Sequence, residues 1–180
     1  MNLKYLFIGV LVLTIGMVYF MYQGNKESRA RVDASNQAYT DQQNKTVKVV
    51  ELQKSLPDLR ESTAIKLIES PKMSSEDTLF YKNLSGRWMD TLKVAEATAR
   101  ISLSDPVQEL QKLKRELDAR QPKTDCEDIM RSSLLNSYEY TIDGFLEFMK
   151  DNKEESGVNS RIASSSMEHA IFLLDYCKPS

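Results

Sequence analysis

The sequence predicts an all-α protein with a single N-terminal transmembrane helix, followed by a soluble antiparallel bundle of about 4–6 helices. An uncharged apolar run extends from residue 5 to residue 22. Beyond it the chain is polar and rich in helix-forming residues, with only 6 Gly and 5 Pro in 180 residues. Apolar residues recur there at spacings of three and four, and few segments alternate with period two. These patterns are typical of amphipathic helices.

The apolar run at residues 5–22 reads YLFIGVLVLTIGMVYFMY. As a helix it is about 27 Å long, close to the hydrocarbon thickness of a bilayer. A cleaved signal peptide is the alternative, but its apolar core has only roughly 7–15 residues and precedes a small-x-small site, which residues 20–24 lack. Tyrosines at positions 5, 19 and 22 suit the membrane interface. We therefore predict a retained anchor at 5–22, with a cytoplasmic N-terminus at 1–4.

The charged residues beside the run leave its orientation open. Lys4 and the amino terminus lie on one side, and Lys26, Arg29 and Arg31 lie on the other. This count slightly favours a cytoplasmic bundle. The two cysteines, discussed below, indicate the opposite orientation and decide the prediction.

Residues 23–45 form a polar segment, which we interpret as a stalk. A coiled-coil seam is the alternative, but Asn36, Gln42 and Gln43 interrupt any heptad. The helical bundle domain is predicted over residues 46–180. Its first helix ends at Pro57, and a short second helix over 58–69 ends before Pro71.

The third bundle helix begins at Ser74 or Ser75, which can cap it, and ends near Ser104. Its apolar stripe is Phe80, Leu84, Trp88, Leu92 and Ala95. The fourth begins with Asp105 as a cap and Pro106 at the first helical position. Its stripe is Val107, Leu110, Leu113 and Leu117.

The fifth bundle helix starts at Thr124, with Glu127 completing a capping-box pattern. Its apolar arc comprises Met130, Leu134, Tyr138, Thr141, Phe145 and Phe148, widened by Leu135, Ile142, Leu146 and Met149. So broad an arc predicts contact with more than one neighbouring helix. A turn over 151–157 then leads to a final helix over 158–177, whose inner face carries Ala163, Met167, Ala170 and Leu174.

Cys126 and Cys177 lie at equal distances from the 151–152 turn. Residues equidistant from the turn of an antiparallel helical hairpin are neighbours, so a disulfide is predicted. A loop of this length is worth about 4 kcal/mol in the chain-entropy model. The bond indicates a single-pass inner or cytoplasmic membrane protein whose C-terminal domain is periplasmic or extracellular. Two buried, unpaired thiols are the alternative.

No motif for catalysis, metal or cofactor binding is present, so we predict a non-enzyme without cofactor or metal. The single histidine, His169, is expected at the edge of the core. Acidic pairs at helix starts and in the turn are explained by capping and helix dipoles. A net charge of −2 without a basic stripe argues against a nucleic acid partner.

The predicted function is a membrane-tethered extracytoplasmic interaction or structural protein: an accessory subunit, an inhibitor or an immunity-type binder. Tyr81 and Trp88 are candidate partner contacts, although their spacing suits a core, and Tyr81 is expected to be more exposed than Phe80. The alternative is a small-molecule-binding bundle, with a pocket lined by Phe80, Trp88, Tyr138 or Phe145. An enzyme is the least favoured class.

Overall fold

The computed structural model describes residues 3–179, and side chains only for residue 26 and residues 28–179. The described chain is all-helical, which confirms the predicted fold class of a helical bundle. The predicted anchor at 5–22 and the cytoplasmic residues 1–4 lie outside the described side chains. In the remaining, described part, no helix has an apolar stretch long enough to cross a bilayer.

The elements follow one another with short connections. They are α1 (Leu3–Ser55), α2 (Glu61–Glu69), α3 (Ser75–Ala97), a 3₁₀ turn (Arg100–Ser102), α4 (Ser104–Ala119), α5 (Asp125–Met149) and α6 (Lys153–Cys177). The chain divides into two compact units, residues 1–51 and residues 52–180. The predicted boundary between stalk and bundle, at residues 45 and 46, falls inside the unbroken α1.

Two of the predicted helix caps are confirmed. The Ser74 hydroxyl accepts from the Asp77 amide at 3.0 Å, and the Thr124 hydroxyl accepts from the Glu127 amide at 3.1 Å. The cap predicted at Asp105 is wrong, because α4 already begins at Ser104. Pro106 fits inside the first turn, since the first four amides of a helix have no partner within it.

The turn predicted over 151–157 is wrong in length. The chain reverses over the three residues 150–152, in which Asp151 has a left-handed backbone with φ of 67°. Asn152 then caps α6 by accepting from the Glu155 amide at 3.4 Å, so the helix starts at Lys153. With Asn152 as its cap, α6 begins five residues earlier than the predicted helix over 158–177.

The predicted stripe of α4 is confirmed in full, since Val107, Leu110, Leu113 and Leu117 are all buried. The core of residues 52–180 is built around large side chains from every helix. Those below 2 % exposure are Trp88, Tyr81, Tyr138, Leu67, Leu84, Leu103, Leu110, Leu117 and Met130 among others. Burial of this kind is the main favourable term in folding.

The predicted disulfide is confirmed: Cys126 and Cys177 are bonded, with Cα atoms 5.8 Å apart. It joins the start of α5 to the end of α6, at the open end of their hairpin. The segment before α3 lies against the same end, because the Met73 amide donates to the Cys177 carbonyl at 2.8 Å. Ser70 Oγ likewise accepts from the Cys126 amide at 3.0 Å.

Candidate functional site

The candidate site is built on the close packing of α5 and α6. A Cβ added to Gly144 would lie 3.4 Å from Ser160 Oγ and 3.5 Å from the Ser156 carbonyl, so the two backbones approach closely there. Ser137 Oγ donates to the Ala163 carbonyl at 2.9 Å, one polar contact across the same interface. These contacts fix α5 and α6 against each other, so that the two helices form one continuous surface.

Helix α3 lies against α5 through a pair of stacked aromatic rings. The rings of Trp88 and Tyr138 are parallel, with centroids 3.4 Å apart, and both residues are fully buried. The two rings occupy the space between these helices. A groove remains where α3, α5 and α6 meet.

This groove, called here the α3–α5–α6 groove, has a volume of about 550 Å³ and is half open to solvent. Its large apolar lining side chains are Trp88, Met89, Leu92, Phe145, Phe148 and Met167, interspersed with small residues such as Gly144, Ala163 and several serines. Met89 is 42 % exposed and Phe148 is 37 % exposed. These exposed side chains give the groove a partly solvent-exposed apolar wall.

The groove is elongated and acidic. Its α5 lining runs from Ser137 to Phe148, about 17 Å at the helical rise. The charged side chains in its lining are Glu96 on α3 and Glu168 on α6. An apolar trough of three helical turns with carboxylates on both walls can bind an extended apolar ligand that carries positive charge.

Trp88, which lines the groove, carries a buried hydrogen-bond donor. Trp88 Nε1 is buried and has no hydrogen-bond partner among the described residues, and the same holds for Tyr138 Oη. Burial raises the pKa of the Tyr138 phenol, and the nearby Ser85 side chain offsets only part of this effect. Buried polar groups without partners are rare in folded proteins and deserve an explanation.

A second polar group of residues lies at the disulfide end of the bundle, away from the groove. This charged clamp consists of Asp77, Arg120, Lys123 and Glu127. Tyr81 Oη donates to Glu127 Oε1 at 2.9 Å, and the Lys123 amide donates to Oε2 at 2.8 Å. Lys123 Nζ donates to Asp77 Oδ1 at 2.7 Å.

Every carboxylate oxygen of the clamp has a partner. Arg120 contacts both carboxylates, and Ser74 Oγ donates to Asp77 Oδ2 at 2.6 Å. The hydrogen bonds from Lys123 and Ser74 hold the pKa of Asp77 below its usual range. Because its two carboxylates are buried and every one of their oxygens is paired, the clamp joins the start of α3, the end of α4 and the start of α5 as a structural element.

The candidate residues named in the sequence analysis lie at different places in the structure. Tyr81 is fully buried with its hydroxyl on Glu127, so the expectation that it is exposed is wrong and it has no surface to offer a partner. Trp88 is also fully buried but lines the groove. His169 is half-buried. Within the described part of the chain, no three His, Cys, Asp or Glu side chains lie together as a metal site would require.

Two features of these sites were not fully predicted from the sequence. The buried roles of Asp77 and Glu127 were not expected, because acidic residues in a first turn normally cap a helix at its surface. The groove was anticipated only in part: of the four candidate pocket residues, Trp88 and Phe145 line it, whereas Phe80 and Tyr138 do not. The broad apolar arc of α5 was the signal in the sequence that could have placed it. Phe145 and Phe148, at the C-terminal end of that arc, are the part that remains partly uncovered.

Comparison of the chain with known proteins gives no match: no family model, no curated protein and no solved structure matches it.

Proposed function

We propose that this protein is a non-catalytic, membrane-tethered helical bundle that binds another protein, and that the α3–α5–α6 groove is the binding site. The observation that carries the proposal is the groove itself, a half-open apolar trough between rigid helices. Amphipathic helices dock in grooves of this kind by placing residues at i, i+3, i+4 and i+7 against the apolar walls.

The proposed partner element is an amphipathic helix with basic residues along its flanks. The floor of about 17 Å accepts roughly three turns of helix, since each turn rises about 5.4 Å. Glu96 and Glu168 lie in the opposing walls, so Lys or Arg flanking the apolar face would meet opposite charge. Complementary charge at a rim mainly favours correct orientation and fast association.

Site-specific photocrosslinking in the cells that make the protein tests this proposal. A benzophenone amino acid replaces Phe148 in the groove or, as the matched control, Ile171, which is 60 % exposed on α6 outside the groove lining. We expect one protein to be crosslinked from position 148 and not from 171. The crosslink should be lost when Glu96→Lys and Glu168→Lys are combined. Equal crosslinking from both positions, or none from 148, would contradict the proposal.

A small apolar molecule is the second candidate ligand. The groove volume of about 550 Å³ falls within the range of ligand sites, about 300–1,000 Å³, and its large lining side chains are apolar. Trp88 is the single tryptophan of the chain, so its fluorescence reports directly on the groove. Purified protein that carries a small molecule in native mass spectrometry, with shifted Trp88 emission, would favour this candidate over a protein partner.

The tether and the location form a separate part of the proposal. Residues 5–22 supply the proposed transmembrane anchor, and the bundle is proposed to face the periplasm or cell exterior. The disulfide supports this orientation, since such bonds persist in oxidising compartments. We expect the protein to resist carbonate extraction from membranes, and its bundle to be cleaved by protease added to intact cells or spheroplasts. Full recovery in the soluble fraction would exclude the tether.

A further inference from the structure

We propose that residues 32–50 of α1 pair with the same residues of a second copy, as a parallel, in-register two-stranded coiled coil. The described side chains of α1 from Arg29 to Asn44 are all exposed. A helix gains most of its stability in proteins by burying an amphipathic face. In the unpaired chain residues 29–44 have no such burial, and from there to residue 50 only Val49 is buried.

The unbroken helix fixes which side chains share a face. Positions separated alternately by four and three residues lie on one seam, called here the α1 seam: Val32, Asn36, Tyr39, Gln43, Thr46 and Val50. Val32, Tyr39 and Val50 are 57 %, 64 % and 58 % exposed. Of the polar residues that interrupt the apolar pattern, Gln42 lies beside the seam, and only Asn36, Gln43 and Thr46 lie on it.

The charged residues leave this seam open for self-association. Between residues 30 and 51 the charged positions are Arg31, Asp33, Asp41, Lys45, Lys48 and Glu51. None of the six lies on the seam, and only Asp33 lies beside it. Between Val32 and Val50, two identical helices can therefore approach along the seam without bringing like charges together. The next position on the same face before Val32 is Arg29, where the pairing ends.

The polar seam residues identify the partner as a parallel second copy. In register, Asn36 meets Asn36 and Gln43 meets Gln43, so each amide finds both a donor and an acceptor. Such a polar layer fixes register and strand number in coiled coils. In the antiparallel arrangement Gln43 would meet Tyr39, whose hydroxyl already accepts from Gln43 of its own helix at 3.1 Å. The parallel arrangement also places both proposed anchors at one end, although the pairing itself does not depend on them.

Disulfide crosslinking of the full-length chain tests the pairing. Both native cysteines are bonded to each other, so an introduced cysteine is the one free thiol. Cysteines are placed singly at Val32, Tyr39 and Thr46 on the seam. The matched controls lie two residues further along, on the opposite face, at Ala34, Asp41 and Lys48. Each variant is oxidised mildly in membranes and in dilute detergent.

We expect all three seam positions to give several-fold more disulfide-linked dimer than their matched controls. An Asn36→Lys substitution in the unmodified chain should convert the dimer to monomer in light scattering, because it would bring two like charges into contact. Equal yields from seam and control positions would overturn the proposal. A mixed disulfide between Val32→Cys and Val50→Cys, without the Val32→Cys homodimer, would show antiparallel pairing and overturn it too. Groove occupancy is measured separately, so the two proposals can fail independently.

Discussion

The indole of Trp88 lies flat on the phenol ring of Tyr138, with the planes within 3° of each other. This stack joins α3 to α5 and also borders the groove, so it couples the core to the proposed binding site. Neither ring's polar atom has a hydrogen-bond partner among the described residues. The contribution of the stack is therefore apolar and differs from that of the other buried tyrosine, Tyr81, which donates to Glu127.

These two tyrosines should respond in opposite ways to removal of the hydroxyl. Tyr138→Phe removes an unpaired buried group, so we expect the free energy of unfolding to stay within about 0.5 kcal/mol or to rise. Tyr81→Phe removes a hydrogen bond to the buried, charged Glu127 carboxylate, which keeps only Arg120 and the Lys123 amide as donors, and should lower the free energy of unfolding by about 1.5–3 kcal/mol. Urea unfolding of both variants checks this, and equal losses would show that Tyr138 Oη has a partner.

The disulfide should supply a large share of the stability of the α5–α6 hairpin. It closes a separation of 51 residues. Replacing both cysteines by alanine should lower the free energy of unfolding by about 2–5 kcal/mol. Urea unfolding measures the loss, and wild-type protein with reductant should approach the variant. A wild-type curve unchanged by complete reduction would contradict the expectation.

The hairpin and its disulfide could be predicted from the sequence because they depend on local spacing. Once two long helices are joined by one turn, chain length alone determines which residues are level with each other. The stripe of α4 was equally predictable, because all four of its apolar residues face one core.

The orientation of Phe80 and Tyr81 could not be predicted in this way. Adjacent residues lie about 100° apart on a helix, and either aromatic ring could have faced the core. The outcome depends on Glu127, which lies 46 residues further along and accepts from Tyr81. The groove could not be predicted for a similar reason, because whether Phe148 is covered depends on where α3 crosses the hairpin.

The charged clamp should make stability depend on acid pH through Asp77. Hydrogen bonds from Lys123 and Ser74 lower the pKa of Asp77 in the folded state. Its contribution to stability is therefore complete above the unfolded pKa of about 4 and is lost as the pH falls through the lower folded value. We expect Asp77→Asn to be destabilised at neutral pH, with the difference from wild type shrinking below that range.

An exposed aspartate provides the control for this experiment. Asp175 also has a lowered pKa through its hydrogen bond from Lys178, but it lies on the surface. Solvent screens such pairs, so Asp175→Asn should change stability little at any pH. Unfolding free energies are measured from neutral pH down to acid for all three proteins. If the difference in unfolding free energy between wild type and Asp77→Asn stayed constant as the pH falls, the clamp would have no role in acid sensitivity.

Substitutions at three helical glycines should distinguish the effect of backbone freedom on stability from the effect of helix packing. A Cβ at Gly86 or Gly157 would have no neighbour within 4 Å, so Gly86→Ala and Gly157→Ala should each raise the free energy of unfolding by about 0.5–1 kcal/mol. At Gly144 the added Cβ would touch Ser160 Oγ, which offsets that gain, so Gly144→Ala should be close to neutral. Gly144→Val should force α6 away from α5 and lower stability by about 1–3 kcal/mol. Urea unfolding gives all four values, and a stabilised Gly144→Val would show that α5 and α6 do not need their close approach at this residue.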